Sequence, residues 1–196
     1  MYPAAHFQQH DAKQLQQLIN AYPLATILLP NSQSALNTVS QVPVLFDTKR
    51  QLFIAHVSKY NPLGTADGQS VQLIFNSENC YLSPSYTDNP ILPSWLYASV
   101  LVTAQLKLIT KQSQQEQIMK QLTEHFEQPF SPQWQLEQLP EKHRYAMYQQ
   151  LSFIEFMPTH WQGIFKLSQN KSAATREQIK ASLTRINKPQ IAELLK

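Results

Sequence analysis

One long segment of alternating residues constrains the fold more than any other feature of the sequence. Between Trp95 and Ile109, apolar side chains come to occupy every second position, from Val100 through to Leu108. A period of two residues predicts a β-strand with one buried face. A strand of this length can curve around a barrel. The segment therefore predicts that the core of the protein is a curved β-sheet.

Shorter apolar segments bounded by turn-forming residues predict the other strands. We expect these at residues 24–29, 36–46, 51–57, 71–75, 81–82 and 153–156, the last resuming at 163–167. Amphipathic periodicity predicts helices from a cap at Asp11 through Tyr22, and over residues 113–126 and 141–151. A capping-box pattern, Thr175-x-x-Gln178, opens a fourth helix, and Pro189 begins a last short one. Six or seven strands with helices at both ends indicate an α+β protein, an antiparallel barrel decorated by helices.

Glycine and cysteine are too scarce for several common kinds of site. The chain has three glycines in 196 residues, so it has no Walker loop, no dinucleotide fingerprint and no Gly-x-Ser-x-Gly elbow. Its one cysteine, Cys80, excludes an internal disulfide and a four-cysteine zinc site, and we expect a reducing, cytoplasmic setting. No segment has the ~18 uncharged apolar residues of a membrane span, so we expect a soluble protein.

Catalytic and metal-binding patterns are not evident. The six histidines are scattered, and only His6 and His10 have the i, i+4 spacing that could clamp a metal ion on a helix. They precede the cap of the first helix, so we predict neither a metal site nor a catalytic residue.

Basic residues are concentrated at the end of the chain. Residues 166–196 contain seven Lys or Arg and two acidic residues, whereas the whole chain has a net charge of only +3. Such a segment is typical of a solvated helix face, or of a surface for an anionic partner. A helix pair around Ile179 and Ile191 has the short connection of a helix-turn-helix, which makes DNA a candidate partner. Its second helix is barely two turns long, so we expect the pair to pack on the barrel instead.

Two polar clusters at predicted strand ends combine the same chemical groups. They are His56–Pro62 and Lys166–Lys171, and each offers a cation, a hydroxyl and carboxamides. Lysine and serine suit a phosphate, while Asn and Gln can bind the edge of a heteroaromatic ring. Aromatic side chains could stack on that ring, with Tyr60, Trp95 and Tyr97 as the candidates. The alternative is ordinary turn and cap chemistry.

Six short segments stand out along the chain: the start Met1–Phe7 with Asp11, Pro23–Thr26, His56–Pro62, Tyr81–Tyr86, Pro93–Tyr97 and Lys166–Lys171. In this order they resemble the PaiB-type family of FMN-binding negative transcriptional regulators over most of the chain. The segment Lys166–Lys171, Lys-Leu-Ser-Gln-Asn-Lys, is similar to the family's Lys-Leu-Ser-Gln-Asn-Arg signature.

The resemblance implies a split β-barrel with Greek-key order, related to the pyridoxamine-phosphate-oxidase-like flavoproteins. Such barrels form homodimers and hold FMN in a groove at the subunit interface. The barrel would occupy residues 1–171, and a C-terminal helical extension would occupy residues 172–196. Lys59 is the candidate for the FMN phosphate. The other candidate cofactor-binding residues are His56, Ser58, Asn61, Lys166, Ser168 and Gln169, with Trp95 and Tyr97 as groove walls or dimer contacts.

Four departures from the family pattern bear on FMN affinity. Gln41 stands in place of a histidine, Ala55 of a glycine, Lys59 of an arginine and Leu96 of an asparagine. Lysine keeps the charge of arginine but loses its bidentate fork. Three functions therefore remain open: an FMN-binding regulator, a flavin-dependent oxidoreductase or flavin reductase, and a barrel that has lost its flavin and serves as an interaction protein.

Overall fold

The structure, a computed structural model, describes residues 3–30 and 38–195. The described residues form two compact units, each built from separate stretches of the chain. The first unit contains residues 3–22, 75–101 and 162–195, and the second contains the described residues of 23–74 and 102–161. Three strands contribute residues to both units.

Nine strands are found in the described residues, in place of the six or seven expected. They are β1 (Gln8–Gln9), β2 (Leu24–Leu29), β3 (Thr38–Pro43), β4 (Leu45–Asp47), β5 (Leu52–Ser58), β6 (Ser70–Asn76), β7 (Cys80–Leu82), β8 (Ser94–Ile109) and β9 (Leu151–Lys166). Their hydrogen-bonded order is β3-β2-β6-β8-β9-β5-β4, with β1 beside β9 and β7 beside β8. The registered pairs are antiparallel, as predicted.

Five α-helices accompany these strands in the part of the chain that the structure describes. They are α1 (Ala12–Ala21), α2 (Gln112–Glu127), α3 (Glu141–Tyr148), α4 (Ala173–Arg185) and α5 (Pro189–Leu194). Single turns of 3₁₀-helix occur at Ala5–Phe7, Pro62–Thr65, Pro84–Tyr86 and Leu136–Gln138. Within the described ranges, no helix is both long enough and apolar enough to span a bilayer.

Several elements lie where the sequence predicts them. Asp11 caps α1 by accepting hydrogen bonds from the backbone amides of Lys13 and Gln14. Strand β2 has the predicted bounds, and β8 begins one residue before Trp95. In the second unit, α2 covers an apolar cluster that includes Ile54, Ile118 and Phe153. Helix α2 thus packs against β5 and the start of β9.

Two strand predictions are wrong in their extent. The segment 36–46 forms two strands, because the chain turns away at buried Val44, whose amide bonds to the carbonyl of Pro23 (3.0 Å); residues 36 and 37 lie outside the described residues. The segments 153–156 and 163–167 belong to the single strand β9, which continues through Pro158. Residues 157–160 are largely exposed, so they lack the alternation from which a strand is predicted.

Two helix predictions also need correction. Helix α3 ends at Tyr148, three residues before the predicted end, and Leu151 begins β9 instead. The cap of α4 is Ser172, whose Oγ accepts a hydrogen bond from the amide of Thr175 (3.2 Å). Thr175 therefore lies inside the first turn and does not open the helix.

Candidate functional site

The first polar cluster lies in the second unit, where β5 ends. The backbone amide of Lys59 donates to the carbonyl of Gln150 (2.9 Å), and the amide of Asn61 donates to the carbonyl of Ser58 (2.9 Å). These bonds fix a tight turn that leaves the Lys59 side chain exposed. Among residues 3–30 and 38–195, no ion-pair partner is found for Lys59. Lys59 is thus a cation available to an external anion.

Lys59 borders a cavity of about 410 Å³, a volume within the range of small-molecule sites. The cavity also has amide, hydroxyl and aromatic side chains on its wall, and none of the described residues that line it is acidic. Its other polar and aromatic lining residues are Thr110, Gln112, Gln115, Tyr145, Tyr148, Gln149, Ser152 and Phe153. Such a lining suits an anionic ligand that has an aromatic, hydrogen-bonding body.

A buried phenol forms part of this cavity. Tyr148 is 4% exposed, and its hydroxyl has no hydrogen-bond partner in the described part of the chain. Burial, together with the nearby carboxylate of Glu116, raises the pKa of Tyr148, so the phenol stays protonated. Glu116 is itself paired with Arg144 (3.1 Å). Because the Glu116 carboxylate lies close to the hydroxyl, the ring is the part of Tyr148 that is available to a bound ligand.

His56 lies three residues before Lys59 and is half-buried in β5. Its ring packs near that of its cross-strand partner Phe153, with centroids 6.1 Å apart. Burial lowers the pKa of His56, and its buried Nδ1 has no partner among the residues described. His56 is therefore a neutral imidazole packed behind a residue of the cavity wall.

The side chains of Asn61 and Ser58 form hydrogen bonds within the chain, at and beside the turn that follows β5. The Asn61 Oδ1 accepts from the amide of Leu63 (3.0 Å) and from the hydroxyl of Ser40 (3.2 Å). The Ser58 Oγ accepts from the amide of Tyr60 (3.4 Å). These acceptors are used within the chain, which leaves Lys59 as the predicted residue of this cluster best placed to meet a ligand.

The second cluster lies in the first unit, at the end of β9. Lys166, Ser168 and Trp95 line a cavity of about 460 Å³. The Gln169 amide is used within its own turn: its nitrogen donates to the carbonyl of Phe165, and its oxygen accepts from the amide of Leu167 (2.8 Å). Tyr97 is half-buried in β8. That the residues of this cluster contact the same ligand as Lys59 stays a prediction.

Sequence reasoning missed several lining residues, and the sequence offers little signal for them. Gln112, Gln115 and Gln149 line the cavity beside Lys59, but glutamine is frequent along the whole chain. Tyr145 and Tyr148 are three residues apart on α3, so they share one face of that helix. That spacing is the one sequence feature from which these two tyrosines could have been predicted to line the same cavity. No group of three or more metal-ligating side chains is found in the described ranges.

Comparison with known proteins relates this geometry to flavoproteins. Residues 1–160 match the model of the family described as "Putative FMN-binding domain". No curated protein is detectably similar in sequence.

Three solved structures share the fold at low sequence identity. The flavocytochrome Anf3 from Azotobacter vinelandii is 11% identical, with 82% of this chain and 69% of that chain covered and a TM-score of 0.60. The FAD and heme binding protein from Mycobacterium smegmatis is 13% identical, with 89% and 80% covered and a TM-score of 0.60. A conserved hypothetical protein from Mycobacterium tuberculosis is 5% identical, with 84% and 90% covered and a TM-score of 0.56. These likenesses confirm the predicted fold class, an α+β split barrel built on an antiparallel sheet.

Proposed function

This chain belongs to the family of FMN-binding domains, and from that membership we propose that it holds the phosphate of flavin mononucleotide with Lys59. The observation that carries the proposal is the exposed Lys59 ammonium on this cavity. Among the described residues it has no ion-pair partner, and none of those that line the cavity is acidic. A phosphate dianion needs such a cation. The matched residues 1–160 include the whole Lys59 segment.

The other lining residues suit the remainder of the flavin. Gln112 and Gln149 offer amide donors and acceptors for its polar groups, and Tyr145 offers an aromatic face. Tyr148 adds a second aromatic side chain to the wall. When bound, the flavin would supply redox chemistry, while these residues bind it, orient it and limit its contact with water.

We also propose that two copies of the chain pair beside this segment, as the PaiB resemblance implies. Tyr60 is 89% exposed and Val39 is 57% exposed. Their neighbours Asn61 and Ser40 are hydrogen-bonded to each other, so the two exposed apolar residues lie on adjacent segments. Apolar surface of this kind supports a protein–protein contact.

The regulatory role implied by the resemblance is proposed to act through flavin binding, not through reading of DNA by the C-terminal helices. Helix α5 has six residues, and Ile191 and Ala192 within it are buried. Ile179 and Leu183 of α4 are fully buried as well. Both helices are thus used for packing in the first unit.

Titration with two flavins tests the assignment of Lys59. We expect the purified protein to bind FMN, seen as a change in the visible flavin spectrum. The variant Lys59→Ala should weaken FMN binding by roughly tenfold or more, because a hydrogen bond to a charged group contributes about 1.5–3 kcal/mol. Its affinity for riboflavin, which lacks the phosphate, should be unchanged.

Two further variants serve as controls. Lys59→Arg keeps the positive charge of lysine and adds the bidentate guanidinium, so this variant should bind FMN at least as well as the wild type. Lys49→Ala removes an exposed lysine of the second unit that does not line the cavity, so FMN binding should not change. An equal loss of FMN and riboflavin affinity in Lys59→Ala would refute the phosphate assignment.

Steady-state NAD(P)H oxidation by the FMN-loaded protein would indicate the oxidoreductase function instead of the regulator.

A further inference from the structure

We infer that Glu116 of α2 is a positioning residue for the cavity beside Lys59, an assignment that rests on the proposed function. Glu116 does not line this cavity itself. It acts through Arg144 and Tyr148 of α3, and thereby sets the aromatic part of the cavity wall against which the flavin ring would lie.

Helix α3 needs support from outside. It has eight residues, whereas isolated helices shorter than about 12–15 residues are marginal in water. Its N-cap is Pro140, whose side chain cannot accept a hydrogen bond from the helix amides, and Tyr148 is the one buried residue among the eight. The position of α3 therefore depends on the few side chains that attach it to the rest of the second unit.

Arg144 provides the first of these attachments. Its Nε lies 3.1 Å from Oε1 of Glu116, and the side chains are 14% and 27% exposed respectively. A pair that is shielded in this way is screened less by water and salt than a pair on the surface. Nη1 of Arg144 also donates to the carbonyl of Leu139 (2.7 Å), just before the helix. Glu116 thus ties α3 and the segment that leads into it to α2.

Tyr148 provides the second attachment. Its ring belongs to the apolar cluster of the second unit and meets Phe153 edge-on, with centroids 5.3 Å apart. Its hydroxyl lies close to the Glu116 carboxylate. Arg144 and Tyr148 are four residues apart, so they lie on the same face of α3. One carboxylate therefore contacts both residues of that face.

Helix α2, which carries Glu116, is fixed independently of α3. Its residues Ile118 and Leu122 are buried in the apolar cluster. Nε2 of Gln115, the neighbour of Glu116, donates to the carbonyl of Ile109 at the end of β8 (2.9 Å). The carboxylate is therefore a fixed point to which α3 is attached.

The contacts of Glu116 should affect the flavin ring more than the phosphate. Tyr145 and Tyr148 both line the cavity, with ring centroids 6.0 Å apart. Lys59, in contrast, directly follows Ser58, which pairs with Leu151 of β9. A displacement of α3 would therefore move the aromatic wall and leave the cation in place.

Titration of Glu116→Ala with riboflavin and with FMN tests this assignment. We expect both affinities to fall by the same factor, roughly fivefold or more, because the displaced tyrosine rings lose contact with the flavin ring. Lys59→Ala, in contrast, should weaken the binding of FMN alone. Glu124→Ala removes an exposed carboxylate of α2 that does not line this cavity, and it should bind both flavins like the wild type. Unchanged riboflavin affinity in folded Glu116→Ala would overturn the inference.

A double-mutant cycle tests whether Glu116 acts through Tyr148. Tyr148→Phe keeps the ring on the cavity wall and removes the hydroxyl that lies close to the carboxylate. Glu116→Ala should therefore weaken riboflavin binding by a smaller factor in the Tyr148→Phe background than in the wild type. Equal factors in the two backgrounds would mean that Glu116 does not act through Tyr148, and would overturn the inference.

Hydrogen exchange of the full chain, without added flavin, tests the attachment of α3 directly. The amides of residues 141–150 should exchange faster in Glu116→Ala and in Tyr148→Phe than in the wild type and in Glu124→Ala, while those of β6 should not change. Unchanged exchange of α3 in both variants would overturn the inference even if flavin binds. A wild type that binds neither flavin would overturn the proposed function, and faster exchange of α3 in Glu116→Ala would still support the positioning of this wall by Glu116.

Discussion

His56 is a basic side chain in a position that disfavours its charged form. Partial burial in β5 lowers the pKa of His56 below its ordinary 6.5. Below pH 6.5 the unfolded chain therefore binds a proton that the folded chain resists. The free energy of unfolding should fall as the pH decreases from 6.5 towards the lowered pKa of His56.

Substitution of the histidine tests this pH dependence. We expect His56→Gln to flatten the decrease in stability between pH 7.5 and 5.5, measured by urea unfolding at each pH. His143→Gln is the matched control, because His143 is exposed on α3 and should leave the slope unchanged. A slope that is the same in wild type and His56→Gln would contradict the role of burial.

Single residues also show how much of the candidate site can be predicted from the sequence. The sequence predicts Lys59 as a cofactor-binding residue, and the structure leaves this lysine exposed at the turn after β5. Its contact with a flavin stays a prediction. Carboxamides are harder to interpret, since the same group can bind a ligand or complete a turn. Asn61 and Gln169 both complete turns in the structure, and neither residue type nor spacing could have decided this beforehand.

At the level of elements, α4 depends on a cap that the sequence pattern placed three residues too late. Ser172 accepts from the amide of Thr175, and loss of such a cap typically costs about 1 kcal/mol. Ser172→Ala should therefore lower the free energy of unfolding by ~1 kcal/mol in urea denaturation. Thr184→Ala, on the exposed end of the same helix, should change it by less than half as much. A larger loss from Thr184→Ala would contradict this assignment of the cap.

The C-terminal helices supply a second test at this scale. Removal of residues 172–196 would expose the partners of Ile179, Leu183 and Ile191, all buried in the first unit. We expect the shortened chain to melt at a lower temperature than the full chain, because burial of each such side chain contributes about 1.5–3 kcal/mol. Unchanged thermal stability with loss of DNA affinity would instead support the helix-turn-helix interpretation.

The strands show why some elements can be predicted from the sequence and others cannot. Strand β8 keeps one face buried along most of its length, so its alternation is visible in the sequence. Strand β9 is exposed on both faces around residues 157–160, and hydrogen bonding to its neighbours maintains it there without an apolar pattern. The two-residue β1 is too short to have a pattern, and it depends on Gly163, where a Cβ would lie 2.7 Å from the carbonyl oxygen of Gln9.

At the scale of the whole molecule, flavin binding and pairing of copies should both appear as changes in stability. A ligand that binds the folded chain only stabilises it by about 2.7 kcal/mol when its concentration is 100 times its Kd. For a chain of 196 residues, each kcal/mol raises the melting temperature by ~2–4 °C. FMN at that concentration should therefore raise the melting temperature by roughly 5–10 °C.

The same stability measurements distinguish the contribution of Lys59 to flavin binding from the contribution of the proposed contact between two copies. If Lys59→Ala weakens FMN binding tenfold, the same FMN concentration should stabilise that variant by only about 1.4 kcal/mol, half the effect on the wild type. Riboflavin should stabilise both proteins equally.

If two copies enclose the flavin, the melting temperature of the FMN-loaded protein should also rise with protein concentration, and Tyr60→Ser should weaken this dependence because it removes exposed apolar surface. If the melting temperature rises with FMN but not with protein concentration, the proposed flavin site would stand. Dimerisation would then make no contribution to the stability of the FMN-loaded protein.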